Sequence, residues 1–475
     1  MNRRTHTFNM SRSLCLAVSA LAAALLSACA VGPNYHRPKF DTTAQFKEAG
    51  DWKPTEPADT LNKGEWWKIF NDEVLNSLEN RVNISNETII TAAANYEESR
   101  ALVREAESGF WPTLSGSLGW SRAEQPPLGP RNGFSAGGNA SWTIDIWGEI
   151  RRTVESNKAS AQSTLAALAA ARLSSQAELA IDYFELRAQD QLQKLLDDTV
   201  EAEKLSLKIT ESRYKYGVAA RADVVNAETQ LLASQSQQVN AHVQRGILEH
   251  AVAVLVGEQP AAFSLAPSTM RSDVPTIPAG VPSALLERRP DIAEQERRMA
   301  AANAQIGVAY SAWFPSLTLS GSITSTSVPS MSRLFEASNR VWSFGPELAE
   351  TLFDGGLRAA QVSAARATYD AQVATYRQTV LSGLQQVEDQ IVTLKVLEQQ
   401  AVIEDKTVKA AREAETLTLN QYKAGTVPYS SVITAQTTRL SAEETALQVL
   451  SSRLQASVTL IEAVGGGWDD SQLKN

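Results

Sequence analysis

Two patterns of hydrophobic and polar positions run along the chain, and each occurs in both halves. Long segments with an apolar residue every three or four positions predict helices. Each of the two longest, 148–216 and 357–424, would span about 100 Å. Shorter segments alternate between apolar and polar residues, which predicts strands with two different faces. The strand segments are 113–122, 134–146, 316–326 and 340–350.

Short sequences from the first half recur in the second half at a constant offset. The segment around Gly217 repeats around Gly425, and Val256-Gly257 repeats as Val464-Gly465. A self-match at this distance is too long for a solenoid unit, so it indicates a duplicated half-protein. The predicted organisation is a first repeat over 65–270 with its helical hairpin at 148–256, a second repeat over 271–465 with its hairpin at 356–464, and a C-terminal tail over 466–475.

The N-terminus has the features of a secretory signal. Three arginines precede an apolar stretch of the length of a signal core, and the stretch ends in Leu26-Ser27-Ala28-Cys29, which resembles the lipobox of bacterial lipoproteins. We predict a lipoprotein signal peptide over 1–28, lipidation of Cys29, and an extended, lipid-anchored linker over 29–64. Lipoproteins kept at the inner membrane commonly have Asp after the cysteine, so Ala30 favours the outer membrane.

Composition narrows the classes of partner. The formal net charge is −9 and the pI is about 5.3, so no basic surface is available for nucleic acid. Past residue 28 no apolar run reaches the ~20 residues of a membrane helix, so strands would have to cross any membrane. Four strands cannot close a barrel, and lipid does not tolerate open edges; three copies would supply twelve strands. A water-soluble sheet with one wet face is the alternative.

The sequence offers little for catalysis. Its histidines are His6, His36, His242 and His250, and none belongs to a cluster with the spacing of a zinc site. Nucleophile-elbow, phosphate-loop and dinucleotide-binding motifs are also missing. We therefore predict a protein that is not an enzyme and that has neither a metal nor a cofactor.

Two segments carry a resemblance to a known family. One is Arg288-Arg289-Pro290-Asp291, followed by the small residues of 301–309 and by Phe314-Pro315; the other is the opening Cys29–Pro38. Together they resemble the outer-membrane efflux-factor family (TolC-like), in its lipoprotein branch associated with resistance–nodulation–division (RND) pumps, as in OprM/NodT-type proteins. The resemblance covers residues 29–465. It implies an α+β membrane protein: a homotrimer whose twelve-stranded β-barrel, with four strands per protomer, continues into a long periplasmic α-helical barrel.

The same resemblance implies partners and contact residues. The partners would be outer-membrane lipid, a periplasmic adaptor protein and an inner-membrane RND pump. Two tip turns would contact the adaptor, through Arg213, Tyr214 and Gly217 in the first and Tyr422, Lys423 and Gly425 in the second. The alternative for both turns is a pair of ordinary helix C-caps, in which Gly adopts a left-handed conformation.

This sequence departs from the family at the charged residues that are expected to form the gate. The family often places aspartates just after the second tip turn, where this chain has Ser431 and Thr434. The first repeat has Asp223 and Asn226 at the corresponding positions. We take these four residues as candidate gate positions, although Asp223 equally suits the start of a helix, where carboxylates are favourable.

The function predicted from these features is passive conduction of drugs or other small molecules across the outer membrane, at the end of a tripartite efflux system. Two alternatives remain at this stage. The same fold would serve as the outer-membrane duct of type I protein secretion, and the long helices would also suit a structural coiled-coil lipoprotein. The sequence identifies neither the exported compounds nor the particular adaptor and pump.

Overall fold

The computed structural model describes residues 30–40, 43–48, 64–124, 126, 129–277, 285–468, 471 and 473. The predicted signal peptide over 1–28, the lipidation site Cys29 and most of the predicted tail lie outside these residues. The chain divides into two compact units. Unit 1 comprises Met1–Lys39, Asn95–Thr164 and Glu294–Arg377, and unit 2 comprises Phe40–Ala94, Leu165–Ala293 and Gln378–Asn475.

Unit 1 contains one four-stranded antiparallel sheet with the strand order β1-β2-β3-β4. The second strand begins at Pro130, ahead of position 134, where the alternation begins. Pairing of Gly133 with Ser121 and of Pro130 with Glu124 extends the ladder, and proline is tolerated as the first residue of a strand. The strands are β1 Thr113–Glu124, β2 Pro130–Ile144, β3 Ser316–Val328 and β4 Arg340–Ala349.

The register gives the sheet one apolar face and one polar face. Leu114 pairs with Ala140, Ala140 with Gly321, and Gly321 with Phe344. The neighbouring row, on the opposite face, is Ser115, Asn139, Ser322 and Ser343. The large side chains of the apolar face are strongly exposed in the single chain, and β1 and β4 each have one edge without a strand partner among the residues that the structure describes. We call apolar face the surface formed by Leu114, Leu118, Trp120, Ile323, Trp342 and Phe344.

The helices have closely matched lengths in the two halves. Helices α2 and α5 have 22 residues each, α3 and α6 have 67 and 68, and α4 and α7 have 35 each, as expected for a duplication. In the part of the chain described here, no helix combines the length and the apolar character needed to span a membrane. The bounds are α1 Glu73–Ser85, α2 Glu87–Ser108, α3 Glu149–Lys215, α4 Arg221–Leu255, α5 Pro290–Ser311, α6 Leu357–Ala424 and α7 Tyr429–Ala463.

The first residues after the predicted lipidation site are held against unit 1 over 30–40. The Val31 N–H donates to the Trp147 carbonyl at 3.0 Å, and the Arg152 guanidinium donates to the Val31 carbonyl at 3.1 Å and to Asn34 Oδ1 at 2.9 Å. Gly32 has a φ of +93°, and a Cβ there would lie 2.4 Å from the Cα of Gly307. This part of the predicted linker is therefore held in place by hydrogen bonds, and two glycines let the backbones approach closely.

Candidate functional site

The first tip turn joins α3 to α4 through a left-handed glycine. Gly217 has a φ of +73°; its N–H donates to the Tyr214 carbonyl at 2.9 Å, and the Val218 N–H donates to the Arg213 carbonyl at 2.8 Å. These bonds satisfy carbonyls that the helix end leaves unpaired. The next helix begins at once, and the Asp223 carboxylate accepts the Ala220 N–H at 3.3 Å.

The second tip turn joins α6 to α7 with nearly the same backbone. Gly425 has a φ of +80°, its N–H donates to the Tyr422 carbonyl at 2.9 Å, and the Thr426 N–H donates to the Gln421 carbonyl at 3.0 Å. Pro428 then precedes the first residue of α7. Both predicted glycine positions are therefore fixed by backbone geometry, since a side chain at positive φ is strained.

Arg213 of the first tip turn covers the second. Its Nη1 donates to the Lys423 carbonyl at 2.8 Å, and its guanidinium carbon lies 4.8 Å from the centroid of the Tyr422 ring, within the range of a cation–π interaction. Tyr422 packs edge-on against Tyr429, with the ring centroids 5.2 Å apart. Every member of the resulting tip cluster is at most 3% exposed. The tip cluster consists of Ala227, Tyr422, Tyr429 and Val432.

The two turns consequently present different surfaces. Tyr422 is 3% exposed, whereas Tyr214, at the same position of the first repeat, is 46% exposed. Tyr216 and Val218, which the sequence analysis did not single out, are 79% and 63% exposed. Large apolar residues at an exposed turn are typical of partner-binding surfaces, and this signal was available in the sequence. Tyr422 instead packs beneath the second turn, while Lys423 and Gly425 are exposed.

The candidate gate residues lie at the starts of α4 and α7. Asp223 is partly buried and is engaged at the start of α4. Asn226 and Thr434 are exposed, and Ser431 is partly buried. The Thr434 hydroxyl donates to the Ser430 carbonyl at 3.1 Å within its own helix. In the single chain, the Asp223 carboxylate therefore has a partner in the residue just before α4, and the Thr434 hydroxyl has one on its own helix.

A network of charged side chains beyond the tip cluster joins α3, α6 and α7, and it was not predicted from the sequence. Arg439 of α7 pairs with Glu415 of α6 at 2.6 Å and with Glu443 on its own helix, and it donates to the Thr199 hydroxyl of α3 at 3.2 Å. Arg412 pairs with Glu443 at 2.6 Å. The spacing of Arg439 and Glu443 suits a pair on one helix, but the sequence contains no signal for the partners on other helices.

Burial perturbs two acidic groups near these contacts. Glu203 is 2% exposed and accepts a hydrogen bond from Gln230 at 3.1 Å. Burial raises the pKa of Glu203, against the opposing effects of hydrogen bonds from Ser234 and Gln230 and of the positive charge on Arg439. Burial, assisted by the charge on Glu203, also raises the pKa of Tyr429 to about 12. Both shifts favour the neutral forms, because a low-dielectric environment penalises the charged form of an acid.

The motif Arg288–Asp291 ties the second repeat together. Arg289 forms a bidentate pair with Asp291, at 3.0 and 2.7 Å, and donates to the Ala463 carbonyl at the end of α7 at 2.9 Å. A Cβ at Gly383 would lie 3.3 Å from the guanidinium carbon of Arg289, and one at Gly465 would lie 2.0 Å from the Arg288 carbonyl oxygen. Pro290 begins α5 at the first helical position, where its missing N–H has no cost.

The first repeat contains the equivalent junction, built with different side chains. Asn86 precedes α2 as Arg289 precedes α5, and its amide donates to the Leu255 carbonyl at the end of α4 at 2.8 Å. Gly257 has a φ of +73°, and a Cβ there would lie 2.2 Å from the Ser85 carbonyl oxygen. The sequence marks Asn86 as part of a helix-start signal, but its equivalence with Arg289 was not identified, because a neutral amide replaces a guanidinium at the matching position.

Known proteins match nearly the whole chain. A family model described as outer membrane efflux protein matches residues 79–258 and 281–466, more than half of the chain. The probable efflux pump outer membrane protein TtgC of Pseudomonas putida is 28% identical over 461 residues, which are 94% of this chain and 95% of TtgC. The pyoverdine export outer membrane protein OpmQ of Pseudomonas aeruginosa is 30% identical over 436 residues, 87% of this chain and 90% of OpmQ. The solved structure of the outer-membrane channel OprN superposes with a TM-score of 0.83 at 30% identity, covering 93% of this chain and 100% of that one.

Proposed function

This chain belongs to the outer membrane efflux protein family, and from that premise we propose that it is the outer-membrane channel of a tripartite, RND-type efflux system. It conducts small molecules passively from the periplasmic pump–adaptor complex to the exterior. The predicted α+β class with duplicated halves is confirmed by the fold that the chain shares with solved outer-membrane channels. The two-faced, open-edged sheet of unit 1 is the observation that carries the proposal.

In a bilayer the sheet requires partners of its own kind. The unpaired edges of β1 and β4 carry backbone groups that lipid cannot satisfy. Edge-to-edge pairing of three copies satisfies them and gives a barrel of twelve strands, an even number within the range of such barrels. The apolar face then contacts lipid, and the row from Ser115 to Ser343 lines a polar conduit. A homotrimer is therefore part of the proposal.

Helix α4 supports assembly through a second surface. Val225, Leu232 and Val239 follow one another at intervals of seven residues and are 44%, 57% and 68% exposed. Val243, Ile247 and Val254 continue the exposed stripe. Apolar residues at heptad spacing pack between helices as in a coiled coil. We assign this stripe to contacts between copies of the chain.

Two regions, the N-terminal segment and the tip turns, determine where the chain is anchored and what it contacts. Lipidation of Cys29 anchors the protein, and its neighbour Ala30 lies against Gly148, between β2 and α3, so the anchor enters the leaflet nearest the helices. The helical part extends into the periplasm and meets the adaptor through the exposed first tip turn. Asp223, Asn226, Ser431 and Thr434 remain candidate gate positions next to the tip turns.

The experiment is a dye-accumulation assay in a deletion strain complemented with variants. We expect deletion to raise dye retention and the wild type to restore efflux. Tyr216→Asp should reach the outer membrane as a trimer yet fail to restore efflux, because it places a charge on the adaptor-facing turn. Ile84→Asp is the matched control, since Ile84 is also 79% exposed but lies on α1. Unchanged accumulation of a broad compound panel, with loss of a secreted protein from the medium, would replace small-molecule efflux with protein secretion.

A further inference from the structure

The connection between β3 and β4 folds back over the apolar face of the sheet. Its 3-10 helical turn, Met331–Phe335, buries Leu334 to 4% exposure, while Met331 and Phe335 stay 63% and 73% exposed. A cavity of about 470 Å³ lies beside this turn, within the roughly 300–1,000 Å³ typical of small-molecule sites. We call it the loop slot.

The loop slot exists because two strands lack side chains beneath it. Gly116 and Gly138 occupy neighbouring positions of β1 and β2 on the apolar face, and a Cβ at Gly116 would meet only the Gly137 carbonyl oxygen, at 3.9 Å. The walls are apolar, formed by Leu118 and Ile323 from the sheet together with the turn itself. A slender hydrocarbon chain suits a narrow slot of this chemistry.

Polar groups are present at only a few points of the loop slot. Ser325 is 4% exposed, and its hydroxyl has no hydrogen-bond partner among the residues that the structure describes. Arg340 lines the slot, is exposed, and donates to the Phe335 carbonyl at 3.1 Å. Arg333, on the turn, is exposed as well. The Arg340 guanidinium at the slot, the Arg333 guanidinium on the turn and a buried hydroxyl complement an acyl chain with an anionic headgroup, since Arg pairs well with phosphate.

We propose that the loop slot binds one acyl chain of a phosphorylated lipid of the outer leaflet, with the phosphate at Arg340 and an ester oxygen accepting from Ser325. The proposal rests on the membrane placement given under the proposed function. The slot lies halfway along β1 and β2 but near the ends of β3 and β4 that are away from the helices, beside Ser325 and Arg340. This position places it in the half of the sheet toward the exterior. The bound lipid fastens the turn to the barrel wall.

Native mass spectrometry of the full-length protein with added lipid A tests the slot. Gly116→Leu fills it without a backbone clash, and we expect this variant to lose the retained lipid. Ala140→Leu adds the same side chain to the apolar face outside the slot and should retain lipid as the wild type does. Equal retention by all three proteins would identify the lipid as annular only and overturn the proposal.

The headgroup contact has its own matched pair of variants. Arg340→Gln should weaken lipid A binding about tenfold, the effect of losing one charge-assisted hydrogen bond, whereas Arg340→Lys keeps the charge and should weaken it less. Identical lipid A affinities of the wild type and Arg340→Gln would show that Arg340 does not bind the phosphate. Lipid retention does not depend on export, so normal efflux without slot-dependent lipid overturns this inference alone. Slot-dependent lipid without any efflux phenotype overturns the proposed function alone.

Discussion

The two tip turns share a backbone but differ in surface. Gly217 and Gly425 have φ values of +73° and +80°, and the same pair of backbone hydrogen bonds closes each turn. In the single chain, Tyr214 is nevertheless 46% exposed, while Tyr422 is buried. Arg213 covers the second turn and Tyr422 packs in the tip cluster, whereas Gln421, the counterpart of Arg213, is exposed. Duplication thus preserved what the backbone requires and left the side chains free to diverge.

Truncating the two tyrosines should have very different effects on stability. Tyr422→Ala removes a buried ring that contacts Arg213 and Tyr429, and it should lower the local opening free energy of the tip by about 3 kcal/mol or more. Tyr214→Ala should change it by less than about 0.5 kcal/mol while reducing efflux. Hydrogen exchange of residues 207–213 measures the first quantity. Comparable destabilisation by both variants would mean that the turns are packed alike.

Removing the cover should have an intermediate effect. Arg213→Met keeps much of the side-chain stem but loses the cation–π contact and the bond to the Lys423 carbonyl, which together contribute about 1–2 kcal/mol. Gln421→Met, at the equivalent position of the second repeat, should be nearly neutral because Gln421 is exposed. Exchange rates of the Tyr429–Ile433 amides report the difference. Equal exchange rates in the two variants would mean that Arg213 does not explain the difference between the two turns.

The two turn glycines should respond equally to substitution, because their backbone conformations are nearly the same. Gly217→Ala and Gly425→Ala each place a Cβ at positive φ, which costs about 1 kcal/mol. A Cβ at Gly217 has no neighbour within 4 Å, and one at Gly425 meets only Arg213 Nη2, at 3.7 Å. Exchange at each turn should therefore accelerate by similar factors, and a clear inequality would indicate that one turn stores additional strain.

The smallest effect at neutral pH concerns Tyr429, whose counterpart in the first repeat is Arg221. Its pKa of about 12 in the fold exceeds the ~10 of an unfolded tyrosine. Its stabilising contribution is therefore complete below pH 10 and falls as pH rises from 10 to 12. Alkaline loosening should begin at the second turn, and Tyr429→Phe should abolish this component. Exchange followed across that pH range, corrected for intrinsic rates, measures it; an unchanged profile in Tyr429→Phe would exclude the tyrosine as its source.

The features readable from the sequence were those with a strong local cause. Period-two alternation located the four strands, and glycine at positive φ, which a reversal between helices requires, located the tip turns. Lengths of 67 and 68 residues for α3 and α6 follow from the scarcity of helix-breaking residues there. The start of β2 was set instead by pairing with β1, which local alternation does not record.

Features that depend on long-range packing could not be read in the same way. Nothing in the sequence distinguishes Tyr214 from Tyr422, because the difference depends on a guanidinium reaching across from another helix. The pairing of Arg439 with Glu415 is likewise a contact between helices. Asn86 performs the task of Arg289 with an uncharged amide, so a search for repeated residue types passes over it.

The open edges of the sheet affect the export and assembly of the protein. A newly exported chain crosses the periplasm with one open strand edge at β1, another at β4, and exposed tryptophans on one face. Such edges pair with any strand they meet, including those of unrelated proteins, and partly assembled species of this kind aggregate at raised concentration. Correct strand pairing therefore competes kinetically with misassembly during biogenesis. Overproducing the chain should increase the amount of misassembled protein faster than it increases the number of assembled channels.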